Sequence, residues 1–212
     1  MSDILPEHLG GHMNKTHVDE GALRYMIQTF SIESMLDIGC GPGGQLRAAQ
    51  NLGLHAIGID GDFTLYKDLD YLNFTKSETS DVKVCVHDFT EGVAPYFNYE
   101  YMEWVSDMDY DIMYKLYDLA WSVEFLEHVD EKYQDNYMQA FQCCKYAIVT
   151  HAVPGQAGHH HVNCQPAEYW IETFAKYGLT YDEYHTNMIR EVSTMQKPFI
   201  QRTGLFFKND NS

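Results

Sequence analysis

The stretch Gly39-Cys-Gly-Pro-Gly-Gly44 constrains this chain more than any other. It follows a short apolar run, Ser34-Met-Leu-Asp-Ile38, and precedes Gln45–Leu52, which reads as helix. Gly39, Gly41 and Gly44 fit G-x-G-x-x-G between a predicted strand and a predicted helix. Glycines there permit a tight turn and let a ligand touch the backbone. Asp60 ends a second apolar run, Leu54–Ile59, 21 residues after Gly39. A carboxylate at that strand end can accept both hydroxyls of a ribose.

The rest of the chain repeats this alternation. Thr16 followed by Asp19 and Glu20 reads as a helix start with acids in the first turn, and Leu23, Met26, Ile27 and Phe30 supply an apolar stripe at helical spacing. A helix is expected around Phe63–Asp70, then strands at Val82–His87, Leu116–Val123 and Tyr146–Thr150, with a helix at Asp130–Cys143. Pro166 introduces a helix over Ala167–Tyr177 that Gly178 stops. Leu179–His185 and Gly204–Lys208 read as the last two strands. Residues 89–115 mix six tyrosines and tryptophans with acids and hold no sustained period, so they read as an insertion of one or two short helices. Strands and helices alternating at this spacing argue for an α/β fold with a parallel sheet covered on both faces. Ligands on such sheets bind at the carboxyl ends of the strands.

A dinucleotide or S-adenosylmethionine satisfies the glycine loop and Asp60 equally. MLDIGCGPGG resembles the first motif of class I S-adenosylmethionine-dependent methyltransferases, and the likeness continues through AIGID, CVHDF and LAWSVEFLEHV, over roughly Met35 to Val149. It implies a Rossmann-like three-layer sandwich with a mostly parallel seven-stranded sheet and an antiparallel last strand. It also implies one domain over 1–212, with an N-terminal lid and helix at 1–32 in which Lys15 and His17 face the pocket. The implied cofactor is S-adenosylmethionine, held by Asp37, Gly39, Cys40, Gly41, Gly43, Asp60, Gly61, Asp62, Asp88, Phe89, Ser122 and Val123. Within that set the glycine loop wraps the methionine end, Asp60 takes the ribose, Asp88 and Phe89 take the adenine, and Ser122 and Val123 form the floor. Asp37 adds a physical argument: two positions before the first glycine it would repel a pyrophosphate, whereas it suits a ligand carrying an ammonium and a sulfonium.

Methyl transfer is an in-line displacement, and much of its barrier is lowered by positioning. A hydroxyl acceptor also needs a base near neutral pKa, a task suited to histidine. Three histidines are the candidates: His151 just past the fifth strand, His128 in the turn after the fourth, and His160 in the His159-His160-His161 run. The His-rich loop 151–166 reads as a substrate loop, its Gln156, His160 and Asn163 offering neutral donors and acceptors. His151, His159 and His161 with Glu124 or Glu127 could assemble a metal site, but the spacing matches no strong metal signature, and no metal is expected.

Charge bounds the acceptor. The chain of 212 residues carries a formal net charge of −17, and from Asp60 to Asp135 there are 19 acids against 5 bases. Such a surface repels nucleic acid and anionic lipid at long range, so neither is an expected partner. No run approaches a membrane span, and the N-terminus shows no secretory signal. Five cysteines without CxxC spacing read as free thiols in a reducing, cytoplasmic setting. The expected activity is methyl transfer to a small polar acceptor, preferably a sugar or glycan hydroxyl, and the aromatic insertion reads as a packed surface cap, as a wall of the acceptor site or as the contact of a homodimer. A protein or nucleic-acid methyltransferase and a non-catalytic cofactor-binding module are the alternatives.

Overall fold

The computed structural model describes residues 4–65, 83–94 and 117–210, together with three short strands at 74–76, 96–98 and 103–105. The chain begins with a strap, residues 4–19, and helix α1 (Glu20–Phe30), whose N-terminus is capped by the Asp19 carboxylate accepting the Ala22 N–H at 3.0 Å. Then come β1 (Ser34–Ile38), α2 (Gly44–Asn51), β2 (His55–Asp60), β3 (Phe74–Lys76), β4 (Lys83–Val86), β5 (Tyr96–Asn98), β6 (Glu103–Val105) and β7 (Tyr117–Ser122). After β7 follow α3 (Gln134–Gln142), β8 (Cys144–Val149), α4 (Ala167–Lys176), β9 (Leu179–Tyr181), α5 (Glu183–Val192), α6 (Phe199–Thr203) and β10 (Leu205–Asn209).

One sheet takes the order β3-β4-β2-β1-β7-β8-β10-β9. β4, β2, β1, β7 and β8 pair in parallel, and β10 runs antiparallel to both of its neighbours. This is the expected seven-stranded frame with its one reversed strand. An eighth strand, β3, extends it by pairing antiparallel with β4. All five residues of β1 are buried, as a strand covered on both faces requires. Alternation sorts its side chains: Leu36 and Ile38 join a cluster with Phe141, Trp170 and Phe174, while Met35 joins Leu23, Met26 and Leu46 on the opposite face. Phe206 and Phe207 divide between the two clusters in the same way. Burying each such side chain contributes roughly 1.5–3 kcal/mol before entropy is counted. From β1 the chain steps outward to β2 and β4, then returns to β7 on the other side, so the order reverses beside β1 and opens a crevice at the carboxyl ends.

One sequence expectation changes, and two others are described in part. Leu179–His185 is not all strand: β9 stops at Tyr181, and the Asp182 carboxylate accepts the His185 N–H at 2.9 Å to cap α5. Within the insertion the described residues include an antiparallel pair, β5 and β6, while the helices expected there fall in part on 95, 99–102 and 106–115, outside the described residues. Of the helix expected over 63–70 the described residues show one turn, Phe63–Leu65, and 66–70 lie outside them. Among the described residues no helix is long and apolar enough to cross a membrane.

Candidate active site

The glycine loop is tied to the end of β2. Ile59 O accepts the N–H of Gly39 at 2.8 Å and of Cys40 at 3.2 Å, and the Asp60 carboxylate accepts Gly41 N–H at 2.7 Å and Asp62 N–H at 2.8 Å. Gly39 lies at φ +76°, and a methyl group there would meet Cδ2 of Phe125 at 2.6 Å, so only glycine lets the loop pass beneath that ring. The strap closes the other side. Thr16 Oγ1 accepts Gly44 N–H at 3.1 Å, Gln45 Oε1 accepts Asp19 N–H at 2.9 Å, and His12 Nε2 meets Asp62 at 2.9 Å. The first N–H of α2 is thereby taken by the N-terminal segment, since its own N-cap, Gly43, has no side chain to cap it.

Between loop, strap and strand ends lies a cavity of about 410 Å³, a size common for small-molecule sites. Asp37, Gly39, Cys40, Gly41, Asp60, Gly61, Asp88, Phe89, Val123 and His128 line it, as do Lys15 and His17 from the strap. The remaining expected residues stand elsewhere. Gly43 shapes the turn, its N–H bonded to Cys40 O at 3.0 Å. Asp62 braces His12 and Thr64. The Ser122 hydroxyl donates to Ile38 O at 2.9 Å, which stitches β7 to β1 and leaves Val123 alone as floor.

The histidines sort more sharply. His151 is buried with its ring 6.5 Å from that of Trp170 and does not line the cavity; burial holds its imidazole below the ordinary value. His160 sits at a left-handed turn, φ +44°, also off the cavity wall. His128 is the one of the three in the wall. Its Nδ1 is buried without a hydrogen-bond partner, and burial, then His161, depress its pKa to about 4, so it is neutral at pH 7.

Beside it stands a carboxylate pair. Glu124 occupies a left-handed conformation, φ +57°, where a residue with a side chain is strained, and Thr150 Oγ1 accepts its N–H at 2.8 Å. Glu127 is fully buried, and neither of its carboxyl oxygens has a hydrogen-bond partner. Burial raises both carboxyls well above the usual range, that of Glu127 further through the charge of Glu124. Asp37 is raised by burial and then by Asp60.

The strap's histidine contacts have no local signature in the sequence. His8 Nε2 meets the Asp88 carboxylate at 2.6 Å, and Thr90 N–H donates to the same side chain at 2.8 Å. Burial would raise that carboxyl, yet His8 and Thr90 hold it below its ordinary value. Trp121 and Phe125 also line the cavity, where the sequence marked only their neighbours.

No family model matches this chain, and no curated protein does. Solved structures do. A TehB-like SAM-dependent methyltransferase from Corynebacterium glutamicum is 17% identical, over 89% of this chain and 87% of that one, with a TM-score of 0.55. A SAM-dependent methyltransferase from Archaeoglobus fulgidus is 16% identical over 89% and 92%, with a TM-score of 0.53. Human N-acetylserotonin methyltransferase, solved in complex with SAM, is 10% identical over 90% of this chain and 50% of that one, with a TM-score of 0.52. Strand order, reversed β10 and these likenesses agree: the chain has the fold of the class I SAM-dependent methyltransferases.

Proposed function

We propose that this chain is a SAM-dependent methyltransferase acting on the hydroxyl of a small polar acceptor, a sugar or glycan first among them. The observation that carries the reading is the convergence on one cavity of the glycine cradle, the Asp37 and Asp60 carboxylates, and the Glu124–His128 turn. The residues fit the cofactor: Gly39 and Gly41 present bare backbone to the cavity, and Asp37, raised in the free protein, would be stabilised as a carboxylate by a cationic ligand.

S-adenosylmethionine supplies, when bound, a methyl carbon activated on a sulfonium. The chain's own groups do the rest. Asp60 offers its carboxylate to a ribose while holding Gly41 in place, and Phe89 and Val123 supply apolar wall. Glu124, whose carboxyl burial raises to about 7, and His128 line the wall on the acceptor side, and Glu124 would take the proton of the hydroxyl while His128 helps to hold the acceptor in place. His151, behind Trp170, serves packing in this reading. The acidic surface supports an uncharged acceptor over a polyanion.

Calorimetric titration with S-adenosylhomocysteine, joined to a labelled-methyl assay on fractionated small molecules, glycans, protein and RNA, tests the reading. Label in the small-molecule or glycan fraction, lost in His128→Ala but kept in His151→Ala, is the expected result. No binding of S-adenosylhomocysteine sinks it, and label in RNA alone overturns the acceptor class.

A further inference from the structure

The turn after β7 and the His-rich loop meet through one backbone atom. Glu127 O accepts the N–H of Val162 at 2.9 Å and of Asn163 at 3.1 Å, and Asn163 Nδ2 donates to Val129 O at 3.4 Å. These bonds bring His161 beside His128, ring centroids 5.0 Å apart. Gly158 makes room: a methyl group there would collide with the His161 ring at 2.1 Å. One oxygen of Glu127 and one ring nitrogen each from His128 and His161 lie within 4.8 Å of one another.

The chemistry of this cluster is incomplete as protein alone. Glu127 is fully buried with both oxygens unpartnered, and Nδ1 of His128 is likewise buried and unpartnered. Leaving such groups buried and unpaired is costly, because each has given up its hydrogen bonds to water without replacement. A hard-to-borderline divalent cation satisfies them together, since two imidazoles and a carboxylate form a common donor set for first-row metals. Ligands roughly 2.1 Å from a shared ion span up to about 4.2 Å, so small side-chain rotations close the set.

We propose that Glu127, His128 and His161 bind a divalent first-row cation such as Mn²⁺ or Zn²⁺ in the cavity wall. His128 and His161 line the cavity with Glu124, so the open positions of the ion face the space left for the acceptor. There the ion would take acceptor oxygens and fix their approach. That placement rests on the methyl-transfer reading, whereas cation binding itself does not.

The test uses the full chain, stripped with chelator and desalted. Mn²⁺ is titrated in and the free-ion signal followed by electron paramagnetic resonance, with Zn²⁺ followed by calorimetry. One ion per chain is expected, weakened by more than about tenfold in Glu127→Gln and in His161→Ala and unchanged in His151→Ala. Far-ultraviolet circular dichroism and S-adenosylhomocysteine binding check that each variant is folded. Failure of the folded wild type to bind either ion at millimolar concentration overturns the site, as does binding that survives both ligand substitutions. A failed methyl-transfer reading shows instead in the S-adenosylhomocysteine titration, so the two are separable.

Discussion

Two glycines with the same backbone strain and opposite surroundings allow the role of the Phe125 ring to be measured. Gly53 lies at φ +89° with nothing within 4 Å of where a methyl group would stand. Gly39 lies at φ +76° with Cδ2, Cβ and Cγ of Phe125 at 2.6, 2.9 and 2.9 Å. Holding alanine in the left-handed region costs about 1–2 kcal/mol, partly offset because alanine also restricts the unfolded chain by about 0.4–1 kcal/mol. Gly53→Ala should therefore lose about 1 kcal/mol. Gly39→Ala bears the same strain plus an overpacking term of about 1–3 kcal/mol, for a total loss of roughly 2–4 kcal/mol. Urea unfolding followed by tryptophan fluorescence reads both. In a cycle with Phe125→Ala, the double variant should be more stable than the sum of the single losses by about 1–3 kcal/mol, because removing the ring relieves the clash. Equal losses for the two glycine variants, with no coupling to Phe125, would refute the close passage of loop beneath ring.

Asp37 links cofactor binding to protons: a ligand ammonium lowers its raised pKa, so S-adenosylhomocysteine, which lacks the sulfonium but keeps the ammonium, should bind more tightly as pH rises and release protons on binding. Calorimetry in buffers of unlike ionisation enthalpy measures that release, which Asp37→Asn should abolish; a wild-type value near zero argues against the linkage. Asp118 behaves in the opposite sense. Burial would raise its carboxyl, but Lys145 Nζ at 2.6 Å and the N–H groups of Glu33 and Ser34 outweigh it and hold the pKa below the ordinary value. The stability it contributes is present above the ordinary carboxyl range and lost as pH falls through the lowered value. Asp118→Asn should thus be less stable than wild type at pH 7 and converge with it in acid, and a gap that persists under acid counts against the account. Of the five cysteines only Cys164 is not fully buried, and burial raises its thiol. One thiol per chain should react with a disulfide reagent in the native state, faster as pH rises, and all five in urea.

Much of the architecture was legible because its strands are buried on both faces. Ser34–Ile38 and Tyr146–Val149 are near-continuous apolar runs, and each ends at a residue that breaks the pattern. The glycine loop and Asp60 were readable for the same local reason. The α5 start was available in Asp182-Glu183, an N-cap followed by an acid, but Leu179-Thr-Tyr181 immediately before it sets a strand pattern that was carried too far. The acceptor side was less legible. His151 and His161 are both close to a strand end in sequence, and nothing in their spacing says that one turns behind Trp170 while the other is drawn to His128. That choice is made by Glu127 O gripping Val162 and Asn163, a long-range backbone contact no local pattern encodes. His8 on Asp88 was hidden likewise, 80 residues apart in the chain.

β10 has a consequence for how the molecule is made. It lies between β8 and β9, so β9 has no place in the sheet until Leu205–Asn209 has left the ribosome. Until then β8 presents an open edge, and the faces that Phe206 and Phe207 will fill on either side remain uncovered. The strands up to β8 can pair on the emerging chain, since β8 lies directly against β7, whereas β9 and β10 must wait for the last residues. During that interval the nascent protein is a sheet of six strands with an adhesive border, the kind of species that chaperones hold and that crowded neighbours capture.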